Sequence, residues 1–242
     1  MAPNNSILTD YAYNEILRMI LSTEIAPGSR IREDFLAEQL GISRTPVREA
    51  VNRLIQNGFI INIIRKGLYC VNFSRRDLLN LTELRLALES LSFEKCIDLA
   101  TDEDIAGFQR IIDDFQAQLS IIVGHDENVI GKEIAMLHNE YDIRFHVGVA
   151  QISASTRLIR YVNEVENMLL IARQRIYSNS NRVEIVQLSW EQHQRMCYAI
   201  RSRDKDAARD LLGEHLKLMI KTQINIVDSA DEIVESVHKS DV

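Results

Sequence analysis

The chain has 242 residues, 46% hydrophobic and 26% charged, with a formal net charge of −7, which suits one large or two ordinary globular domains and not a disordered chain. Its longest apolar run, Met168 to Ala172, has five residues, against the roughly 18 that a bilayer span needs, and MAPNNSILTD has neither the basic nor the apolar region of a signal peptide. Three widely spaced cysteines, Cys70, Cys96 and Cys197, exclude a disulfide framework and a four-cysteine zinc site and point to the reducing cytoplasm.

All three prolines lie at or before Pro46, and glycine is sparse beyond it, so nothing there breaks long helices. Residues 1–76 carry 10 Lys+Arg against 7 Asp+Glu, whereas residues 77–242 carry 18 against 28. A small basic head on a large acidic helical body suggests that the head meets an anion. The division expected is 1–73 and 74–242, a DNA-binding domain and a helical domain for ligand binding and dimerisation.

The first helix is predicted over Thr9 to Ser22, followed by a turn at Pro27-Gly28. A second runs from Glu33 to Leu40, with Gly41 where a left-handed C-cap belongs. Ser43 is placed to N-cap a third, with Pro46 in its first turn. Two short helices joined by a tight glycine turn make a helix-turn-helix. Val47, Val51 and Leu54 face inward, so Arg44, Thr45, Arg48 and Asn52 face solvent. Phe59 to Ile64 and Leu68 to Val71 then form a hairpin with a basic tip, Arg65-Lys66-Gly67. Arginines at the start of an exposed helix suit guanine edges and phosphates, and a basic wing tip suits the adjacent minor groove.

The stretch Ile42-Ser43-Arg44-Thr45-Pro46-Val47-Arg48-Glu49-Ala50-Val51 resembles the recognition-helix motif of GntR-family transcription regulators. Ala26-Pro27-Gly28-Ser29-Arg30-Ile31 and Leu36-Ala37-Glu38-Gln39-Leu40-Gly41 match that family as well. The resemblance covers residues 10–71 and implies DNA contacts from Ser43, Arg44, Thr45, Arg48, Lys66 and Gly67. A basic residue usual in the family two positions before Leu36-Ala37 is here Asp34, and Arg32 is the candidate to take its place.

Ser74-Arg75-Arg76-Asp77 is a capping box that opens a helix running to Leu99. Thr101 caps another, to Ile122. Val129–Gln151, Ser155–Tyr177, Val183–Arg203 and a last helix from Lys205 complete an antiparallel six-helix bundle, with fraying expected beyond Val234. Asp142 and His146 are four apart and share a helix face. His193 lies on the apolar stripe Val186, Trp190, Cys197, Ile200, and His215 on the stripe Ala208, Leu211, Leu212, Leu218, Met219. Buried imidazoles and a buried carboxylate must be hydrogen-bonded or metal-bound. As ligands, three imidazoles and one carboxylate suit zinc, nickel, manganese or iron. His138, also four from Asp142, reads as a polar-face residue.

Tyr141-Asp142-Ile143-Arg144-Phe145-His146, Trp190-Glu191-Gln192-His193, Ala199 to Asp204, Ala207-Ala208 and His215 resemble the FCD ligand-binding domain of one GntR subfamily. Glu83-Leu84-Arg85 through Leu88-Glu89 fits its first helix, and six helices resemble its shorter, VanR-like branch. The resemblance implies that Asp142, His146, His193 and His215 bind a divalent metal that, with nearby arginines, holds a small carboxylic acid. Arg85 and Arg173 are the candidate partners of that acid. Metal affinity is expected to fall as the histidines protonate, near and below pH ~6.5 for ordinary imidazoles.

A metal-dependent hydrolase is the rival reading, but H-E-x-x-H, a nucleophile elbow and a phosphate loop are all absent. An architectural DNA protein would not need a polar cluster inside an acidic bundle. The expected molecule is a mainly α, cytoplasmic, ligand-responsive repressor, homodimeric on a two-fold operator.

Overall fold

The computed structural model describes residues 5–123, 130–177 and 183–240, and divides into two compact units, Met1–Phe73 and Ser74–Val242. In the first, α1 (Asn5–Leu21) is followed by a short strand β1 (Arg30–Ile31), α2 (Glu33–Leu40), α3 (Arg44–Gln56), β2 (Ile60–Ile63) and β3 (Gly67–Cys70). The sheet is antiparallel in the order β1-β3-β2, with Arg30 opposite Tyr69 and Ile61 also opposite Tyr69 from the other side. β1 was not expected from the sequence, because two residues carry no readable alternation. Ile16 and Ile20 of α1, Leu36 of α2, Val47, Val51 and Leu54 of α3 and Phe59 before the wing are buried in one core. Gly41 closes α2 in the left-handed conformation, φ 65°, where a Cβ would be strained. Thr9 Oγ1 donates to Glu49 Oε2 at 2.8 Å, tying α1 to α3.

Among the described residues the second unit has six helices: α4 (Arg75–Leu99), α5 (Asp102–Val123), α6 (Ile130–Ile152), α7 (Thr156–Tyr177), α8 (Val183–Arg201) and α9 (Lys205–Ser240). Two reciprocal caps start the first pair. Asp77 N–H donates to Ser74 Oγ at 3.2 Å while Asp77 Oδ2 accepts from Ser74 N at 2.9 Å. Thr101 and Asp104 repeat the arrangement at 2.8 and 3.2 Å. Each cap satisfies orphan N–H groups of a first turn. At the far end of α4, Arg203 donates to the carbonyls of Ile97 and Ala100, so the turn between α8 and α9 closes the C-terminus of α4. α9 continues to Ser240, past the fraying expected at Val234, in a stretch with no glycine or proline to stop it.

The bundle core is aromatic where α5, α6 and α8 meet. Phe115 stacks on Trp190 with ring centroids 4.0 Å apart, and Phe108 and Phe145 lie 5.4 Å apart. A Cβ on Gly148 would meet Phe108 Cε1 at 3.2 Å, so glycine sets how closely α6 approaches α5 there. α6 is buried over most of its circumference, and this overturns the reading of His138 as a polar-face residue. His138 is fully buried, with Nε2 3.1 Å from Ser189 Oγ. The exposed face of α6 is carried by Glu133, Met136, Glu140 and Arg144, and His138 lies on the opposite side of the helix from it.

Candidate DNA-binding face and metal centre

The exposed side of α3 and the wing form one concave surface, with a groove lined by Arg32, Arg44, Arg48, Asn52, Asn62 and Gly67 among others. Arg44, Thr45 and Lys66 are exposed. Arg48 is 65% exposed in its side chain and its Nε donates to Glu33 Oε2 at 3.3 Å. A surface pair of this kind contributes little and yields to a stronger anion. Arg32 is held by Asp34 through two contacts of 2.8 and 3.3 Å, so the residue placed to replace the missing base is paired with the very acid that displaced it. Ser43 occupies the N-cap position of α3, yet its hydroxyl makes no cap hydrogen bond. The expected cap is therefore absent, and the hydroxyl and the first N–H groups of α3 face outward at the positive end of a helix.

The centre of the bundle gathers the polar residues. Asp142 and His146 of α6, His193 of α8 and His215 of α9 are buried, and one ligand atom from each lies within 4.8 Å of all the others. Asp142 Oδ1 stands 3.3 Å from His193 Nε2, 3.5 Å from His215 Nε2 and 3.7 Å from His146 Nε2. His146 Nε2 and His193 Nε2 are 3.2 Å apart. Ligand atoms about 2.0–2.2 Å from a tetrahedral metal stand about 3.3–3.6 Å from one another, so these separations suit a divalent ion.

The outer nitrogens say which way the rings are protonated. His193 Nδ1 donates to the Ser189 carbonyl at 2.7 Å and His215 Nδ1 to Gln192 Oε1 at 3.2 Å. His146 Nδ1 lies 2.6 Å from Glu89 Oε2, a carboxylate oxygen with only lone pairs to offer. His193 and His215 therefore carry the proton on Nδ1 and turn a bare Nε2 inward, and the carboxylate oxygen beside His146 Nδ1 favours the same tautomer there. Burial pushes His146 and His215 well below the ordinary histidine value, and for His146 the Arg85 guanidinium adds to the effect. Converging lone pairs repel unless a cation lies among them.

Arg85 is fully enclosed against this group. Its Nε donates to Glu89 Oε1 at 2.5 Å and lies 2.6 Å from Glu166 Oε1. Burial alone would lower its pKa, but Glu166, Glu89 and Asp142 outweigh burial and raise it. Its Nη2 stands 3.6 Å from Asp142 Oδ2 and makes no hydrogen bond among the described residues. The side chain of Arg173 lies outside the described residues. Glu89 and Glu166 were not singled out in the sequence. Glu89 is four residues from Arg85, and that spacing within a helix was the signal available.

Residues 8–70 match the family described as bacterial regulatory proteins, gntR family, and residues 80–218 match the FCD domain. The Nta operon transcriptional regulator of Aminobacter aminovorans is 30% identical over 212 residues, 88% of this chain and 92% of that one. The transcriptional repressor RspR of Escherichia coli is 26% identical over 205 residues, 85% of this chain and 84% of the relative. McbR/YncC of E. coli superposes with a TM-score of 0.72 at 21% identity over 90% of this chain and 97% of its own, a likeness of fold. The two units thus define a winged-helix regulator with a helical FCD domain. The chain belongs to the gntR family, in the subfamily that carries an FCD domain, and is a DNA-binding transcription regulator rather than an enzyme.

Proposed function

We propose that this regulator is a homodimeric repressor whose DNA affinity is set by a small carboxylic acid bound at a divalent metal, with Asp142, His146, His193 and His215 as the metal's ligands. The observation that supports this best is the convergence of three deprotonated Nε2 atoms and Asp142 Oδ1, each ring's other nitrogen being turned to a protein oxygen. The metal would supply a Lewis-acidic point for a carboxylate. Arg85 Nη2, buried and without a hydrogen bond, would supply a charge-assisted donor beside it. The Arg44, Thr45 and Arg48 face of α3, with Ser43 at its start and Lys66 and Gly67 in the wing, would read the operator. The relative RspR is named a repressor, and that favours the same sign of regulation here.

Arg85 and Glu89 both belong to α4, which joins Asp142 of α6 and Glu166 of α7 through its guanidinium. α4 is also the helix that follows the head. An acid that draws Arg85 Nη2 towards itself would favour one position of α4 over another, and ligand binding shifts such an equilibrium only through a difference of this kind. Elemental analysis after reloading with zinc, nickel and manganese tests the reading. One equivalent should be retained by the wild type and lost by His193→Ala and His215→Ala, while both variants still bind operator DNA. Retention of none of the three metals by the wild type would overturn it.

A further inference from the structure

Asn139 stands one turn before Asp142 and two turns before His146 on α6, at spacings of three and seven that place all three on one face of the helix. Its side chain is buried, with 2% of the residue exposed. Neither Oδ1 nor Nδ2 has a hydrogen-bond partner among the described residues. An amide buried without partners is costly, and leucine, of the same branched shape though larger, would avoid that cost. His138 beside it satisfies Ser189 on a different face, so burial on this helix does not by itself leave a polar group unmatched.

Resting on the reading that a metal-held carboxylate occupies this site, we infer that Asn139 is a specificity-determining residue and that the effector carries a second polar group, a hydroxyl or a primary amide, close to its carboxylate. An asparagine amide presents two donor hydrogens and an acceptor oxygen. A ligand hydroxyl or amide both donates and accepts and answers both ends. A second carboxylate only accepts and would leave Oδ1 unmatched, and a plain alkyl chain would leave both atoms so. Three residues of helix rise about 4.5 Å, and the second group therefore sits a few bonds from the carboxylate, in a short hydroxy- or amido-acid. A site built to hydrogen-bond such a group rejects analogues that lack it more strongly than an apolar pocket rejects an extra methylene.

The test uses matched acids on manganese-loaded full-length protein: butyrate against 3-hydroxybutyrate, and succinate against succinamate, by isothermal titration. The wild type should bind the hydroxy- and amido-acids at least ten-fold more tightly than their partners. Asn139→Leu should abolish that ratio, keep one equivalent of manganese, and melt at a higher temperature than the wild type without ligand. Equal affinities within both pairs, a ratio that survives in Asn139→Leu, or a lowered melting temperature in that variant would overturn the assignment of Asn139 while leaving the metal reading intact. Failure of the wild type to retain any of zinc, nickel and manganese, or to bind any of the four acids, would instead overturn the underlying reading and this one with it.

Discussion

At the scale of single residues, the two units use arginine in opposite ways. Arg48 is exposed and loosely paired with Glu33 at 3.3 Å, whereas Arg85 is enclosed among three carboxylates. Exchange of the weak partner for a nucleic acid is inexpensive at the first, and removal of any charge is severe at the second. Arg48→Ala should therefore weaken operator binding by roughly five- to 150-fold, the value of a base-reading arginine of about 1–3 kcal/mol, with little change in folding stability. Gel-shift titration against operator and unrelated duplex checks it, and unchanged operator affinity would exclude a reading role for Arg48. Lys66→Ala in the wing should act mainly through the salt-dependent part of the affinity.

The elements were legible in the sequence wherever local chemistry dictates them. Gly41, Pro46 and the Ser74-Asp77 box fixed the ends of α2, α3 and α4, and the four-residue spacing of Asp142 and His146 fixed their common face. What stayed hidden depends on packing between elements. β1 exists only because β3 lies beside it. His138 is buried because α6 is central to its bundle, and Arg85 is matched by Glu166 from a helix some 80 residues away. Ser43 fits a cap pattern but makes no cap bond: the third helical position after it is Pro46, which has no N–H to donate, where Ser74 has Asp77. The caps of α4 and α5 carry a pH dependence. The hydroxyls of Ser74 and Thr101, with their backbone N–H groups, hold Asp77 and Asp104 below the usual carboxylate value. A depressed folded pKa stabilises fully above the unfolded value of about 3.9 and is lost as pH falls through the folded value. The double variant Asp77→Asn, Asp104→Asn should thus melt below the wild type near neutrality, and the gap should close as the pH is lowered from about 4. A gap that stays constant as the pH falls would show that the carboxylates do not hold the caps.

For the whole molecule, one recognition helix per chain sets the stoichiometry. A two-fold operator presents two half-sites about one helical turn or a multiple of it apart, and a single chain offers α3 once. Light scattering at micromolar concentration should give about twice the 27.8 kDa of the chain, and a mass near one chain would contradict the proposed homodimer. Leu79, Leu84, Leu86 and Leu91 of α4 are all exposed, which makes the body the expected source of much of that interface.

The stacking of Trp190 on His193, with centroids 4.4 Å apart, gives the protein a built-in optical probe. Trp190 is the only tryptophan in the chain, so all indole emission originates beside a proposed ligand ring. Manganese or nickel entering the site should quench that emission through their unpaired electrons, whereas zinc, with a closed d shell, should change it far less. Titration of the unlabelled protein with each ion in turn would then report occupancy directly. Identical responses to zinc and nickel would place the ions away from His193.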